Sequence, residues 1–135
     1  MMSTGFDLQS VSELRAKQQL VRSPAVFTAA EMAHCATRPD PMVSLSGIFC
    51  AKEAFIKAVS SLGGAPQYTL PDIEVAYGPA GQPRFRLHRS VAAWCTRRRL
   101  GVELSISHTG DLAGAFVVIL AGAPAESSEE ESWCG

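Results

Sequence analysis

The sequence contains no apolar stretch of the roughly 18 residues that a membrane-spanning helix requires. Its first ten residues, MMSTGFDLQS, also lack the basic segment and long apolar segment of a secretory signal. We therefore expect a cytoplasmic protein with no membrane partner. Charged residues make up 19% and hydrophobic residues 47% of the 135 residues, which is typical of a folded chain rather than a disordered one.

Cysteines are few and widely spaced. They are Cys35, Cys50, Cys95 and Cys134. No two of them have the short spacing of a zinc-binding pair, and disulfide frameworks are typical of small secreted domains. We therefore expect neither zinc nor disulfides, and we predict that the first three thiols pack as small apolar side chains.

Net charge is also small, formally −1, but it is unevenly distributed. Four of the thirteen acids follow Pro124, which leaves 12 basic and nine acidic residues before it. We predict a domain at 1–123 and an acidic disordered tail at 124–135. The weakly basic domain is compatible with an anionic ligand or an acidic partner, and no basic aromatic stripe indicates nucleic acid.

Apolar periodicity and turn residues predict an α+β fold, with an antiparallel sheet packed on a long helix. Thr28 and Glu31 have the spacing of a capping box at the start of a helix, and Ser90 is the predicted cap of another. The predicted elements are a strand at 3–8, helices at 10–20, within 27–36 and at 44–62, strands at 72–77 and 84–88, a helix at 90–100, and strands at 102–107 and 112–122.

Charged residues interrupt the apolar pattern of the long helix. Helical spacing places Glu53 and Lys57 on one stripe with Cys50, whereas Lys52 lies closer to the apolar face. Asp7 lies near a strand end, and His108 directly follows a strand. Converging carboxylates can hold magnesium, a nearby lysine can contact a phosphate, and an imidazole can hydrogen-bond either.

Spacing alone favours a more ordinary interpretation of each candidate. Glu53 and Lys57 could form an i,i+4 ion pair that contributes about 0.2–0.5 kcal/mol. His108 could cap a turn, and Asp7 could simply be a solvent-exposed residue at a strand end. The sequence shows no partner for His34 or His88, so neither receives a role.

Several short motifs nevertheless occur in order along residues 4–121. They read GFDL at 5–8, FTAAE at 27–31, GIFCAKEAFIKA at 47–58, DIEV at 72–75, GQP at 81–83 and SISHT at 105–109. In wording and order they resemble the acyl-carrier-protein synthase type of phosphopantetheinyl transferase. The resemblance implies the α+β fold of that family, usually as a homotrimer with active sites between protomers.

The resemblance also implies a reaction. Such enzymes move the phosphopantetheine of coenzyme A onto a serine of an apo acyl carrier protein, with magnesium, and release adenosine 3′,5′-bisphosphate. The serine proton would leave through water on the metal or through Glu53. By position, the resemblance implies that Asp7 and Glu53 bind magnesium. It implies that Lys57 contacts the pyrophosphate or the leaving group. His108 and Thr109 are the implied contacts at the nucleotide end of coenzyme A, and Pro83 is the implied residue lining adenine.

Two of the departures from the family pattern replace a positive charge. Ile48 stands where an arginine is usual, and it offers no phosphate contact. Glu13 stands where an arginine commonly meets the carrier protein, although Arg15 and Lys17 are close enough to substitute. The alternative function is therefore a diverged family member that binds a carrier protein, or acts on carrier-bound intermediates, without transferring phosphopantetheine.

Overall fold

The structure is a computed structural model that describes residues 1–122. Its elements are β1 (Met2–Ser10), α1 (Val11–Ala16), α2 (Gln18–Val21), α3 (Ala29–Ala36), α4 (Pro41–Ser60), a 3₁₀ turn (Leu70–Asp72), β2 (Ile73–Tyr77), β3 (Pro83–Leu87), α5 (Arg89–Arg97), β4 (Leu100–Thr109) and β5 (Leu112–Ala121). The α+β prediction is confirmed. The predicted domain end at 123 and the acidic tail at 124–135 lie outside the described residues.

The strands form two antiparallel sheets within the described chain. The larger has the order β1-β5-β4, and the smaller is the β2–β3 hairpin. In the larger sheet the first and last strands of the fold are neighbours, with Asp7 opposite Ala115 and His108 opposite Ala113. One face of this sheet packs on α4, and alternate residues such as Val102 and Val117 are buried there.

The long helix α4 starts three residues earlier than predicted. Asp40 accepts a hydrogen bond from the Met42 amide, and Pro41 fills the first helical position, where its missing N–H costs nothing. A proline that resembles a loop residue in sequence therefore begins the helix. Within residues 1–122, no helix is both long and apolar enough to cross a membrane.

Two other helix predictions need correction. The helix predicted at 10–20 is divided at Lys17, whose ψ of 64° is not helical. Ser90 does not cap α5, because the cap position belongs to His88 and the Ser90 hydroxyl donates to the Gln67 carbonyl. The chain leaves α5 through Arg99, which has a φ of 54°.

Gly5 allows β1 to lie directly against α4. A Cβ at this position would overlap the carbonyl oxygen of Ala54 and would lie 2.9 Å from the amide nitrogen of Ala58. These are backbone atoms in the interior of a helix, so they cannot turn aside as a flexible side chain could. The glycine therefore fixes the close strand–helix approach that brings Asp7 to α4.

We expect Gly5→Ala to lower the free energy of unfolding by about 3 kcal/mol or more, because strand and helix must separate. Urea unfolding monitored by circular dichroism measures this loss. Gly114→Ala is the matched control on β5, since its Cβ would lie 3.1 Å from the flexible end of Leu8 and at an ordinary contact distance of 3.5 Å from the Asp7 carbonyl oxygen. Equal losses in both variants would contradict the proposed role of Gly5.

Candidate active site

The structure brings Asp7 of β1 to Lys57 of α4. The Lys57 Nζ lies 2.9 Å from Asp7 Oδ1 and 3.0 Å from the Phe6 carbonyl oxygen, and it donates to both. Lys57 therefore pairs across the strand–helix contact rather than with Glu53 one turn away. Its side chain is 54% exposed, compared with 17% for Asp7, so the pair lies at an opening toward solvent.

Glu53 lies close enough to the same pair to be perturbed by it. Burial raises the pKa of Glu53, the charge of Asp7 raises it further, and Lys57 opposes the shift. Two carboxylates that repel each other at the protein surface form a site that gains from a bound cation. Asp7, Glu53 and Lys57 therefore form one cluster, which we call the carboxylate–lysine site.

Cys50 lies beneath this site and does not join its chemistry. Its thiol lies 3.5 Å from the Ala113 carbonyl oxygen. Burial raises its pKa to about 12, and the charge of Asp7 acts in the same direction. The Cys50 thiol therefore stays protonated at neutral pH. The predicted apolar packing of Cys35, Cys50 and Cys95 is confirmed, because all three are buried in the hydrophobic core.

The donor set of the carboxylate–lysine site suits magnesium better than zinc. Among residues 1–122, no group of three or more His, Cys, Asp or Glu side chains is placed to hold a metal. Magnesium is commonly bound through one or two carboxylates, with substrate phosphates and water completing its shell. Asp7 and Glu53 supply that minimal set of oxygens.

A separate cavity of about 380 Å³ brings Pro83 and His108 together. It lies among the end of α3, the first turns of α4, the β2–β3 turn and the end of β4. Thr109 lines a neighbouring cavity of about 270 Å³ on the outer face of the larger sheet, and His108 borders both. His108 lies within β4 rather than after it. The structure thus places Pro83 and His108 together and Thr109 beside them.

Position 48 does not line the cavity that holds His108. The Ile48 side chain is fully buried in the core of the chain. Gly47 beside it permits the close approach of α4 to β4, because a Cβ there would lie 2.8 Å from Ile106 Cγ2. An isoleucine at 48 therefore serves packing in this chain.

The charges predicted to meet a carrier protein lie on α1 and just after it. Glu13, Arg15 and Lys17 are all exposed. Arg15 lies 3.5 Å from Asp40, a solvent-exposed pair that holds the side chain only weakly. Both basic residues therefore remain available on the surface beside Glu13.

Sequence analysis missed the two most deeply buried charges among residues 1–122. Lys52 and Glu31 are both 0% exposed, and Lys52 Nζ lies 3.0 Å from Glu31 Oε1. Lys52 also donates to the Leu70 and Ile73 carbonyls, while Glu31 accepts from the Val75 amide. The sequence signals were the capping box and the position of Lys52 near the apolar face of the long helix. The capping box is confirmed, since Glu31 accepts from the Thr28 amide.

The two histidines without a predicted role both have partners. His88 lies 3.0 Å from Glu74, which also accepts from the Thr28 hydroxyl. Burial alone would raise the pKa of Glu74, but the Thr28 and His88 hydrogen bonds outweigh it and the pKa falls. The His34 ring stacks on the Tyr77 ring, with 3.9 Å between centroids and an angle of 10° between planes. These contacts join residues distant in sequence, so no local pattern could have indicated them.

Comparison with known proteins assigns this chain and its fold to a family. A model of the 4′-phosphopantetheinyl transferase superfamily matches residues 3–117, so the chain belongs to that superfamily. The holo-[acyl-carrier-protein] synthase of Chlorobaculum parvum is 36% identical, across 87% of this chain and 97% of that protein. The synthase of Desulforudis audaxviator is also 36% identical, across 96% and 98%.

A solved structure agrees with the sequence relatives. The ACPS–CoA complex of Chronobacterium ammoniagenes has a TM-score of 0.75 and 29% identity, and the match covers 90% of this chain and 98% of that one. Within the superfamily the chain is of the holo-[acyl-carrier-protein] synthase type, a transferase of phosphopantetheine. The family resemblance and the fold predicted from the motifs are confirmed.

Proposed function

We propose that the chain transfers phosphopantetheine from coenzyme A to a serine of an apo acyl carrier protein, with magnesium, and releases adenosine 3′,5′-bisphosphate. The observation that carries the proposal is the convergence of Asp7, Glu53 and Lys57, with 2.9 Å between Lys57 and Asp7 and the Asp7 charge acting on Glu53. A relative of known structure binds coenzyme A, which supports the choice of donor.

Asp7 and Glu53 would hold the magnesium ion. When bound, the ion neutralises phosphate charge and polarises the diphosphate for attack. The two carboxylates come from β1 and α4, two elements locked together at Gly5. Rigid elements of this kind fix their ligands more precisely than loops do.

Lys57 would place its positive charge beside the diphosphate. The Lys57 side chain can turn from Asp7 toward a bound ligand, because about half of it is exposed to solvent. The serine oxygen forms a bond to the phosphorus that bears pantetheine, and the bond from that phosphorus to the bridging oxygen breaks. Lys57 stabilises the negative charge that develops on the departing bisphosphate.

Glu53 would accept the proton of the attacking serine. Burial and the Asp7 charge raise the pKa of Glu53 in the metal-free site, and a bound cation would oppose that shift, so Glu53 would be ionised and able to accept a proton when magnesium is present. The nucleotide end of coenzyme A would occupy the cavity lined by Pro83 and His108, with Thr109 beside it. Pro83 would pack on adenine.

The test is an intact-mass assay with magnesium, coenzyme A and several apo carrier proteins, including one encoded nearby. We expect phosphopantetheine addition to at least one carrier, and none without magnesium. Addition that persists in both Asp7→Asn and Glu53→Gln would contradict the carboxylate–lysine site. If no carrier is modified, the result favours the diverged member that binds a carrier protein or acts on its intermediates.

We further propose that the chain assembles as a homotrimer through the outer face of the larger sheet. This face exposes a patch of large apolar side chains, at Met2, Phe6, Leu8, Leu112, Phe116 and Leu120. Phe6 lies opposite Phe116 across the β1–β5 pair, and each is about half exposed. Exposed apolar patches of this kind are typical of association surfaces. The proposal of three protomers comes from the family resemblance.

Light scattering should therefore give three times the chain mass of 14.4 kDa. Phe116→Asp should reduce the particle to a monomer, because a charge would be buried at the interface. Arg97→Asp, on the exposed end of α5, serves as the control and should remain assembled. A monomeric wild-type protein at assay concentration would remove the trimer from the proposal.

A further inference from the structure

The end of α5 carries three consecutive arginines, Arg97, Arg98 and Arg99, which we call the arginine cluster. All three are exposed. Between Glu74 and Glu103 the sequence contains six arginines and no acidic residue, so no carboxylate close in sequence can neutralise the cluster. Cations at a helix C-terminus gain from the helix dipole, but this gain is small at an exposed surface. The cluster is therefore a local excess of positive charge.

No member of the cluster forms an ion pair with a carboxylate of residues 1–122. Arg98 donates to the Gly63 carbonyl oxygen at 2.8 Å, and its guanidinium lies 5.2 Å from the centre of the Trp94 ring. Within the same residues, no side-chain contact of this kind holds Arg97 or Arg99. A guanidinium can donate two parallel hydrogen bonds to a carboxylate, so these two arginines are available to an acidic ligand.

The sequence continues into the acidic tail directly beside this cluster. Ala121, the last residue of β5, lies opposite Leu100, the residue that follows Arg99. Paired residues of neighbouring antiparallel strands lie only about 5 Å apart. An extended chain spans at most about 3.5 Å per residue, so even the first tail acid can reach about 17 Å from the strand end. The four tail acids follow Ala121 by five to ten residues, at Glu126, Glu129, Glu130 and Glu131.

The exposed basic residues on and after α1 lie at the other end of the larger sheet. α1 follows β1 directly, and the last residue of β1, Ser10, pairs with Leu112 at the start of β5. Leu112 and Ala121 are nine residues apart on one strand, which corresponds to about 30 Å. A short tether gives a high effective concentration only at sites that it can span. The arginine cluster is therefore the nearer of the two basic surfaces for the tail.

We propose that the acidic tail docks on the arginine cluster of its own chain, with Arg97 and Arg99 as the principal contacts of its glutamates. The tail offers four negative charges to three positive ones. Docking would cover the cluster and keep it from binding other polyanions. The contact is electrostatic and exposed, so it weakens as salt is added. The inference does not depend on the proposed function, since neither magnesium nor coenzyme A takes part in it.

A heparin column tests whether the tail covers the cluster. The tail-neutral variant changes the four tail glutamates to glutamine, and Arg97→Gln with Arg99→Gln is made in that variant and in wild type. With the charged tail, the arginine substitutions should leave the eluting salt concentration nearly unchanged, because the cluster is already covered. With the neutral tail, the same substitutions should lower it. An equal effect in both backgrounds, including no effect in either, would overturn the proposal.

Cys134 allows the tail to be located directly. The other three cysteines are at most 1% exposed, so a thiol-specific spin label reacts at Cys134 in the folded protein. We expect the label to reduce the amide signals of residues 97–101 by at least about half at low salt, and we expect 1 M salt to restore them, since the screening length falls to about 3 Å. The tail-neutral variant, labelled at the same position, is the matched control and should show little loss.

Two results of the spin-label experiment would contradict docking within one chain. Equal signal losses with the charged and the neutral tail would mean that the tether alone brings the label near the cluster. Chains that carry the isotope can also be exchanged with chains that carry the spin label. Losses of the same size between different chains would place the tail on a neighbouring copy.

Discussion

We expect Glu53→Gln to lower the rate of phosphopantetheine transfer by roughly a hundredfold or more. We expect the same substitution to make the folded chain more stable. The amide keeps the size of the side chain but removes the negative charge that is proposed to bind magnesium and to accept the serine proton. Initial rates by intact mass, at saturating coenzyme A and carrier protein, measure the loss. The gain in stability follows from the electrostatics of the carboxylate–lysine site.

The native state holds the Glu53 proton more tightly than the unfolded chain does, because burial and the Asp7 charge raise its pKa. The stability contributed by such a group is fully present below the unfolded pKa. It is lost as pH rises through the higher folded pKa. Without magnesium, the variant should therefore exceed wild type in melting temperature at neutral pH, and the difference should shrink in acid.

The control is Ser60→Ala, on the same stripe of α4 two turns later. It removes an exposed hydroxyl and should leave both rate and stability unchanged. A Glu53→Gln protein that melts below wild type at neutral pH would mean that Glu53 is a structural carboxylate. Retained transfer would remove it from the active site altogether.

Helical periodicity could identify the polar stripe of α4, and it placed Glu53 and Lys57 together before any fold was known. Periodicity could not show whether Lys57 pairs with Glu53 or with Asp7. The Asp7 pair forms because β1 crosses α4 at the distance that Gly5 permits, and Asp7 and Lys57 are about fifty positions apart in sequence. Local spacing favoured the i,i+4 pair because it contains no information about the crossing.

Competing local signals account for the helix boundaries that were misplaced. A proline after an acid can end a loop or begin a helix, and at Pro41 the cap from Asp40 decides for the helix. Ser90 is a good cap by residue type, but its hydroxyl satisfies the Gln67 carbonyl instead. At Ser90 a tertiary contact overrode residue preference and is not visible in the neighbouring sequence, whereas at Pro41 the deciding cap is local and comes from the residue directly before the proline.

Lys52 shows most clearly that local sequence does not reveal tertiary partners. A lysine near the apolar face of a helix can be buried only if other parts of the chain supply partners for its charge. In the structure it reaches Glu31 and two carbonyl groups, at Leu70 and Ile73. Burial lowers the pKa of Lys52, and the Glu31 charge opposes that shift. The lysine thereby ties α4 to the start of α3 and to β2.

Lys52→Met is expected to cost about 3–5 kcal/mol of unfolding free energy, because it leaves the Glu31 charge buried without its cation. Urea midpoints measure the loss. Lys57→Met is the matched control: the same substitution at a half-exposed ion pair should cost less than about 1 kcal/mol. Adding Glu31→Gln to Lys52→Met should recover part of the loss, because the double variant buries no net charge. Equal losses from the two lysines, or additive losses from Lys52 and Glu31, would show that the buried pair does not stabilise the fold as a unit.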